Sequence, residues 1–572
     1  MRILFLTRSF NSLTQRLYLE LRARGHEVSV EFDIADAVTI EAVALYRPAL
    51  VVAPFLKRAI PEAVWRHTVC LIVHPGIVGD RGPSALDWAI ADAEQAWGVT
   101  VLQAESQMDA GPVWATEPFA MREASKSSLY RREVTEAATR ALHCALQRFE
   151  AGAGPQANLQ PLAAGRGRWR PLMRQADRRI DWQRDGMHAV VRKVRAADGV
   201  PGVLDELFGV PCHLFDAHAE ALVHAHPPGQ VIGRRHEALQ RATVDGAVWI
   251  GHVRRVDAAD GIKLPAALAF AADAAALPER PVALDAPVGD GGWRDIRYER
   301  DGEVGLLHFD FYNGAISTAQ CERLDAAVGF ALAQPTRVLV LLGGAEFWGN
   351  GIHLNVIEAA PSPADESWRN IQAMNDLTLT LIQATGQWVV AAMQGNAGAG
   401  SVFMALAADR LWARRGVVLN PHYKNMGNLY GSEYWSYLLP RRLKSTTVAE
   451  VMSHRLPMSA EQAAGLGLID SVFGDNRADF LAQVRARAAA LAADTALPAL
   501  LQAKQRQRLA DEAHKPLAAY REEELKRMHR NFYGFDPSFH IARSNFVRRV
   551  APSWTPRHLS LHRHTAWTVS SP

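Results

Sequence analysis

At 572 residues, with 48% hydrophobic and 22% charged side chains, the chain has room for several folded domains and is too apolar for wholesale disorder. Its formal charge of +3 argues against nucleic acid as the main partner, and its four cysteines (Cys70, Cys144, Cys212, Cys321) are too scattered for a disulfide framework or a zinc site. That cysteine usage suits a reducing cytoplasm, and Arg8 interrupts the first apolar run too soon for a signal peptide.

In chain order, Arg2–Leu6, Glu27–Glu31, Leu50–Ala53, Cys70–Val73 and Thr100–Gln103 read as strands. Thr14–Arg24, Ser84–Ala93 and Leu129–Glu150 read as helices. This alternation predicts a parallel sheet wrapped by helices. No G-x-G-x-x-G follows the first strand, so a dinucleotide fingerprint is absent. A Gly/Ala/Pro-rich stretch over 151–166 leads to a helix near Gly186–Ala197 and then to a small β-rich unit over 200–275. Leu277–Gly292, with its prolines and glycines, is the clearest linker. Val304–Phe311 and Val338–Leu342 begin a second α/β block, and beyond about Phe473 the chain becomes helical and charged. The mixed charges of Ala503–Arg530 predict a solvated helix face. Leu377–Ala408 carries no charge, but four glycines and several amides break it into helix, strand, glycine turn and helix rather than a membrane span.

The informative segment of the first block runs from His74 to Ile90, following a buried strand. Its Pro and Gly residues place His74 in a loop at a strand's carboxyl end, where open α/β sheets hold ligands. Asp109 lies in a second such loop, Gln107-Met-Asp-Ala-Gly-Pro112. Two roles stay open for the pair: proton transfer, with Asp109 orienting the imidazole, or a cap and a turn residue.

These segments, with Gly98-Val-Thr-Val101, Ile180-Asp-Trp182 and Val194–Gly202, resemble the 10-formyltetrahydrofolate-dependent formyltransferases over about residues 1–275. That family's Asn-x-His…Asp constellation implies His74 and Asp109 as catalytic residues, but the Asn position holds Ile72. An aliphatic side chain cannot donate to an oxyanion, and losing one such donor typically costs ~10²–10³ in rate.

In the second block, Ala345–Leu354 and Gln394–Ser401 are glycine-dense turns after strands, which let backbone N–H groups approach a ligand. With Asn313-Gly-Ala315, Ala460–Gly467 and Ile469-Asp470, they resemble the crotonase (enoyl-CoA hydratase/isomerase) superfamily over about 296–475. The resemblance implies oxyanion donors at the N–H groups of Ile352 and Gly400, with Gly351 and Gly398 contacting coenzyme A. It also places Phe403 and His422 where hydratases carry two catalytic glutamates. Phenylalanine moves no proton, which argues against hydration. The segment Asn420–Tyr434 instead concentrates His422, Tyr423, Tyr430, Glu433 and Tyr434, either as a substrate wall with a raised carboxyl pKa or as a surface aromatic loop.

A formyltransferase-like half joined to a crotonase-like half, with Tyr430–Trp435, Tyr520–Glu524, Asn531–Gly534 and Ala542–Val547, resembles the HypX/HoxX family of hydrogenase maturation proteins. The resemblance implies a multidomain α/β chain. Its parts are a Rossmann-like formyltransferase domain (1–165), a linker helix and small β-rich, OB-like domain (166–276), a linker (277–295), a crotonase-like domain (296–475) and a helical C-terminal region (476–572). It implies a cytoplasmic enzyme making carbon monoxide for the iron of NiFe hydrogenase from 10-formyltetrahydrofolate. The route is formyl transfer to coenzyme A and decarbonylation of formyl-CoA, with Tyr423 or Glu433 as base. Arg8, Gln15, Arg131, Asn313 and Arg543 are implied ligand contacts. Small-molecule substrates and hydrogenase maturation proteins or precursor are the implied partners, without metal, nucleic acid or membrane. A formyltetrahydrofolate hydrolase, an N-formyltransferase and a non-catalytic assembly factor remain the alternatives.

Overall fold

The computed structural model describes residues 1–156, 167–257, 261–289 and 292–564. It comprises two compact units, Met1–Glu279 together with the chain from Ala551, and Arg280–Val550. Of the stretches expected as linkers, residues 157–166 and 290–291 lie outside the described residues.

In the first unit, β1 (Arg2–Thr7), β2 (Glu27–Phe32), β3 (Leu50–Phe55), β4 (Cys70–His74), β5 (Ala96–Gln103) and β6 (Val113–Ala120) form one sheet in the order β2-β1-β3-β4-β5-β6. The first four strands run parallel, as apolar runs covered on both faces should. Strands β5 and β6 run antiparallel to their neighbours, so the sheet is mixed and not wholly parallel as expected. Periodicity reports which residues are buried but carries no sign of strand direction. The helix Asp36–Tyr46 and strand β6 are absent from the sequence expectations. The helix lacks a distinct polar face, and Pro118 masks β6, which is an edge strand where proline is tolerated. Helix Ser12–Ala23 starts at Asn11, whose side chain accepts the Thr14 N–H at 3.0 Å, and buries Leu13, Leu17 and Leu21.

The β-rich unit is an antiparallel sheet of β7 (Val203–Leu207), β8 (Val210–Glu220), β9 (Val231–Arg235), β10 (Ala238–Ala242), β11 (Ala247–Arg255) and β12 (Lys263–Pro265). Helix Met187–Ala197 covers it with Val190, Val191 and Val194.

In the second unit, β13 (Ile296–Asp301), β14 (Val304–Phe309), β15 (Val338–Leu342), β17 (Trp388–Met393), β19 (Arg410–Arg414) and β22 (Ser471–Phe473) form the main sheet. A smaller layer of β16 (Phe347–Gly349), β18 (Asn396–Gly398), β20 (Val418–Asn420) and β21 (Met458–Ser459) carries the glycine turns. The uncharged stretch comprises the end of helix Pro363–Gln383, β17, β18 and helix Gly400–Leu406. Among the described residues, no helix is long and apolar enough to cross a membrane.

Helices Arg477–Ala493, Leu497–His514, Leu517–Tyr533 and Ser538–Val547 follow. The region from 476 onward is not helical throughout, however. From Ala551 the chain returns to the first unit and lines the edge strand β2. Leu559 O accepts the Val30 N–H at 2.9 Å and the Thr555 hydroxyl accepts that of Phe32 at 2.8 Å. Fully buried Glu31 meets His562 Nε2 at 2.8 Å and Arg563 at 2.6 Å. An edge strand exposes unpaired backbone groups, and this tail supplies their partners.

Candidate active sites

Strand β4 ends at His74, and the loop that follows folds back over its ring. A Cβ at Gly76 would lie 2.2 Å from His74 Nε2, so only glycine permits this approach. The imidazole sits between two carboxylates: Asp80 Oδ2 lies 3.2 Å from Nε2, and Asp109 Oδ1 lies 3.6 Å from Nδ1. Asp109 is held by the Gly82 N–H, donating to Oδ2 at 3.1 Å, and adopts a left-handed φ of +54°. Asp80 is buried, with the Arg170 guanidinium 3.5 Å away. The Asp80 contact is within hydrogen-bond distance of the ring, and the Asp109 contact lies just outside it. Ile72 points its side chain into the apolar cluster of Leu4, Leu6 and Val51, and supplies no donor. Asp80 lies within the quoted motif, but nothing in a Gly-Asp-Arg loop tells that its carboxylate turns inward.

Three sequence-predicted contacts gather near the carboxyl end of β1. The Arg8 N–H donates to Phe55 O at 2.7 Å, and the Phe55 ring packs edge-on to Tyr130 at 6.1 Å. The Tyr130 hydroxyl bonds to Asn11, whose carbonyl accepts the Gln15 N–H at 2.8 Å. Arg131 follows in a π-helical turn, Tyr130–Val134, of a kind enriched at functional sites.

In the second unit, the two glycine turns meet. A Cβ on Gly351 would lie 3.7 Å from Gly400 N, and the Gly351 N–H donates to Ser401 Oγ at 2.9 Å. Gly400 is the first residue of its helix, so its N–H has no acceptor within that helix. Ile352 bridges to Ile316 immediately after the first turn. Gly398 pairs with Asn420 across β18 and β20, which joins the Asn420–Tyr434 segment directly to the second turn.

That segment folds Tyr423 and Glu433 together over Gly400. The Tyr423 hydroxyl donates to Glu433 Oε2 at 2.5 Å, and its ring stacks on Phe403 with centroids 5.4 Å apart. The carboxylate sits so close to Gly400 that a Cβ there would be 2.3 Å from Oε1. Burial, reinforced by the negative charge of Glu524, pushes Glu433 up to about 8 against the stabilising Tyr423 hydrogen bond. Burial and the adjacent Glu433 hold the Tyr423 phenol far above its ordinary value, so it remains a donor. Glu433 and Tyr434 have φ of +58° and +56°, left-handed conformations costing roughly 1–2 kcal/mol each. The turn persists because Asn375 Oδ1 accepts the Glu433 N–H at 2.7 Å and the Ser432 hydroxyl at 2.9 Å. Asn375 is a polar residue on the buried stripe of its helix, a signal visible in the sequence but not singled out there.

Asn313 and Arg543 lie beside these elements rather than within the Tyr423–Glu433 pair. Asn313 adopts φ +58° and its carbonyl accepts Asn350 Nδ2 at 2.7 Å. Arg543 is buried against Glu358 at 2.7 Å, on the helix Leu354–Ala359 that starts just after Ile352. The face expected to be solvated over 503–530 is solvated only in part. Leu517–Tyr533 buries Leu517, Glu524, Met528 and Phe532, the apolar members sitting at helical spacing among charges.

Family models match residues 34–146 (formyl transferase), 172–263 (formyl transferase, C-terminal domain) and 315–557 (enoyl-CoA hydratase/isomerase). The hydrogenase maturation factor HoxX of Bradyrhizobium diazoefficiens is 56% identical over 98% of this chain and 97% of its own length. The chain belongs to the HypX/HoxX family of hydrogenase maturation factors. A crystal structure of HypX from Aquifex aeolicus in complex with tetrahydrofolic acid superposes with a TM-score of 0.94, at 46% identity over 98% of this chain and 99% of that one. The formyltransferase-like half of this HypX/HoxX chain is also similar to the methionyl-tRNA formyltransferase of Xylella fastidiosa, 27% identical over 41% of this chain and 77% of that enzyme.

Proposed function

We propose that the chain makes carbon monoxide from 10-formyltetrahydrofolate, by formyl transfer to coenzyme A and decarbonylation of formyl-CoA. The observation that carries this reading is the buried Tyr423–Glu433 pair pressed against Gly400, where hydratases need two glutamates and this chain has Phe403 and His422. Neither hydratase glutamate position carries a carboxylate here, whereas removal of a single formyl proton needs one base. The tetrahydrofolic acid bound by the Aquifex HypX supports a folate donor for the first unit.

In the first unit, His74 holds the proton exchanged at the acceptor thiol, and Asp80 and Asp109 fix its ring. Arg8, Gln15 and Arg131 are the proposed folate-side contacts. Coenzyme A, when bound, supplies the thiol that accepts the formyl group and departs again. The turns at Gly351, Gly398 and Gly400 are the proposed thioester cradle, and a side chain at Gly400 would collide with the Glu433 carboxylate. Ile352 and Gly400 N–H groups orient the carbonyl oxygen, with Asn313 and Arg543 as outer contacts. Glu433 takes the formyl proton as the carbon–sulfur bond breaks, and returns it to the departing sulfur. Tyr423 donates to Glu433 throughout. The net change is one formyl thioester to one carbon monoxide and one thiol. Hydrogenase maturation proteins or the hydrogenase precursor are the proposed recipients.

Purified protein given 10-formyltetrahydrofolate and coenzyme A should generate haemoglobin-trapped carbon monoxide and regenerate the thiol. Formate as the sole one-carbon product would replace this reading with a hydrolase. Absence of turnover, with hydrogenase maturation in air intact in Tyr423→Phe and Glu433→Gln strains, would replace it with an assembly factor.

A further inference from the structure

Glu433 is held on a turn that its own sequence does not favour. Two successive non-glycine residues, Glu433 and Tyr434, are left-handed, a conformation kept only when the surroundings impose it. Asn375 fixes the first of them, as described. The backbone donors of Tyr434 and Ser436 converge elsewhere, on one carboxylate. Glu524 Oε2 accepts the Tyr434 N–H at 3.0 Å, and Oε1 accepts the Ser436 N–H at 2.9 Å and the Ser436 hydroxyl at 2.6 Å. Glu524 stands on helix Leu517–Tyr533, is 1% exposed, and is satisfied by neutral donors rather than by a cation.

We propose that Glu524 is a positioning residue for the decarbonylation. Its carboxylate clamps the Tyr434–Ser436 backbone so that Glu433 is aimed over Gly400, and its charge favours the protonated form of Glu433 by like-charge repulsion. This rests on the reading of the second unit as a decarbonylating site. A glutamine at 524 would present one acceptor and one donor to three donors, so a clamp of this shape requires a carboxylate.

Two neutral donors oppose that repulsion by favouring charge on Glu433, the Tyr423 hydroxyl at 2.5 Å and the Ser432 N–H at 3.3 Å, both to Oε2. Asn375 is neutral, and the Cys321 thiol, on helix Thr318–Leu332, is pushed up chiefly by burial and then by Glu433 itself. Arg521 and Asp376 act on Tyr434, and Arg527 lies over the Tyr430 ring at 4.7 Å. Burial also pushes Glu524 up to about 7, against the hydrogen bonds from Ser436 and Tyr434 that favour its charged form.

The test is Glu524→Gln in the full chain, read in two ways. The protonated-carboxyl infrared band of Glu433, assigned by its loss in Glu433→Gln, is followed against pH. Carbon monoxide release from formyl-CoA is measured across the same range. In Glu524→Gln the band should titrate at lower pH than in the wild type, and the rise of rate with pH should move with it. The kcat should fall by about tenfold or more with KM little changed, because the base is misaimed while binding groups remain. Glu524→Asp should restore the wild-type titration. Ser436→Ala, which removes a donor that favours charge on Glu524, should move the band the same way by less, and it serves if Glu524→Gln does not fold. An unmoved Glu433 titration in Glu524→Gln or Ser436→Ala would overturn the proposal. If the wild type releases no carbon monoxide while the Glu433 band still responds to Glu524, the functional reading fails and the coupling stands. If carbon monoxide is released but neither band nor pH profile responds, the proposal fails and the functional reading stands.

Discussion

Gly400→Ala tests how closely the Glu433 carboxylate must approach the glycine turn, while leaving the Gly400 N–H in place. Gly400 does not have a left-handed φ, and it opens a helix, so alanine suits its backbone. The obstacle is space alone: the added Cβ would lie 2.3 Å from Glu433 Oε1 and 2.4 Å from Cδ. Ordinary contact is about 3.5 Å, so the carboxylate must withdraw by about 1 Å. It is anchored while doing so by Tyr423 at 2.5 Å and, through its backbone, by Asn375 at 2.7 Å. The hydrogen bond from Tyr423 is the contact that yields, and losing one to a charged acceptor costs about 1.5–3 kcal/mol. A base displaced by about 1 Å loses on the order of 10² in rate. Carbon monoxide release from formyl-CoA, trapped on haemoglobin, should therefore fall about 100-fold, accompanied by a lower melting temperature of the second unit. Wild-type kcat in Gly400→Ala would refute the placement of Glu433 as the base.

Glu433 also links activity to stability. Its carboxyl, raised from 4.5 to about 8, keeps its proton in the native state where the unfolded chain has lost it, so this group's contribution is full below about 4.5 and is lost as pH rises through 8. At 1.36 kcal/mol per pH unit that amounts to about 5 kcal/mol, and calorimetry should show a steeper decline from pH 5 to 8 in the wild type than in Glu433→Gln; equal slopes would contradict the buried-acid assignment. In the first unit, Asp80→Asn should slow tetrahydrofolate release by about tenfold to 100-fold, because the ring of His74 loses a charged partner 3.2 Å away. An unchanged rate would leave Asp109 as the sole orienting group. Truncation after Val550 removes His562 and Arg563 from buried Glu31, whose pKa these partners and Thr555 lower despite burial. The loss should cost about 3 kcal/mol and lower the melting transition of the first unit; because the carboxyl is depressed in the native state, the deficit should be present above pH 4.5 and shrink as pH falls through the native value. Identical melts at pH 7 would show that the tail is only apposed.

Local chemistry made much of the two halves legible. Runs such as Ile3–Leu6 and Val338–Leu342 are buried strands because apolar surface must leave water wherever the chain places them. Glycine turns at Gly351 and Gly400 are visible because only glycine tolerates such close approach. His74, Asp109, Tyr423 and Glu433 stand out as chemistry-bearing residues in loops after strands. Other features have no local signature. Whether β5 runs with or against β4 depends on how hydrogen-bonding edges meet, which apolar periodicity does not record. The inward turn of Asp80 depends on His74 and Arg170 closing over it.

The sequence by itself determined the formyltransferase-like and crotonase-like halves, the glycine turns and the two candidate bases Tyr423 and Glu433, since each depends on residue type within a short window. The tertiary structure alone decided what holds those groups. Asn375 and Glu524, 58 and roughly 90 residues from the turn they fix, and the tail that lines β2 from 531 residues away, act through hydrogen bonds between segments distant in the chain. Such partners are selected by the packing of whole elements, because a buried charge or strained turn is stable only where donors and acceptors from several elements arrive together.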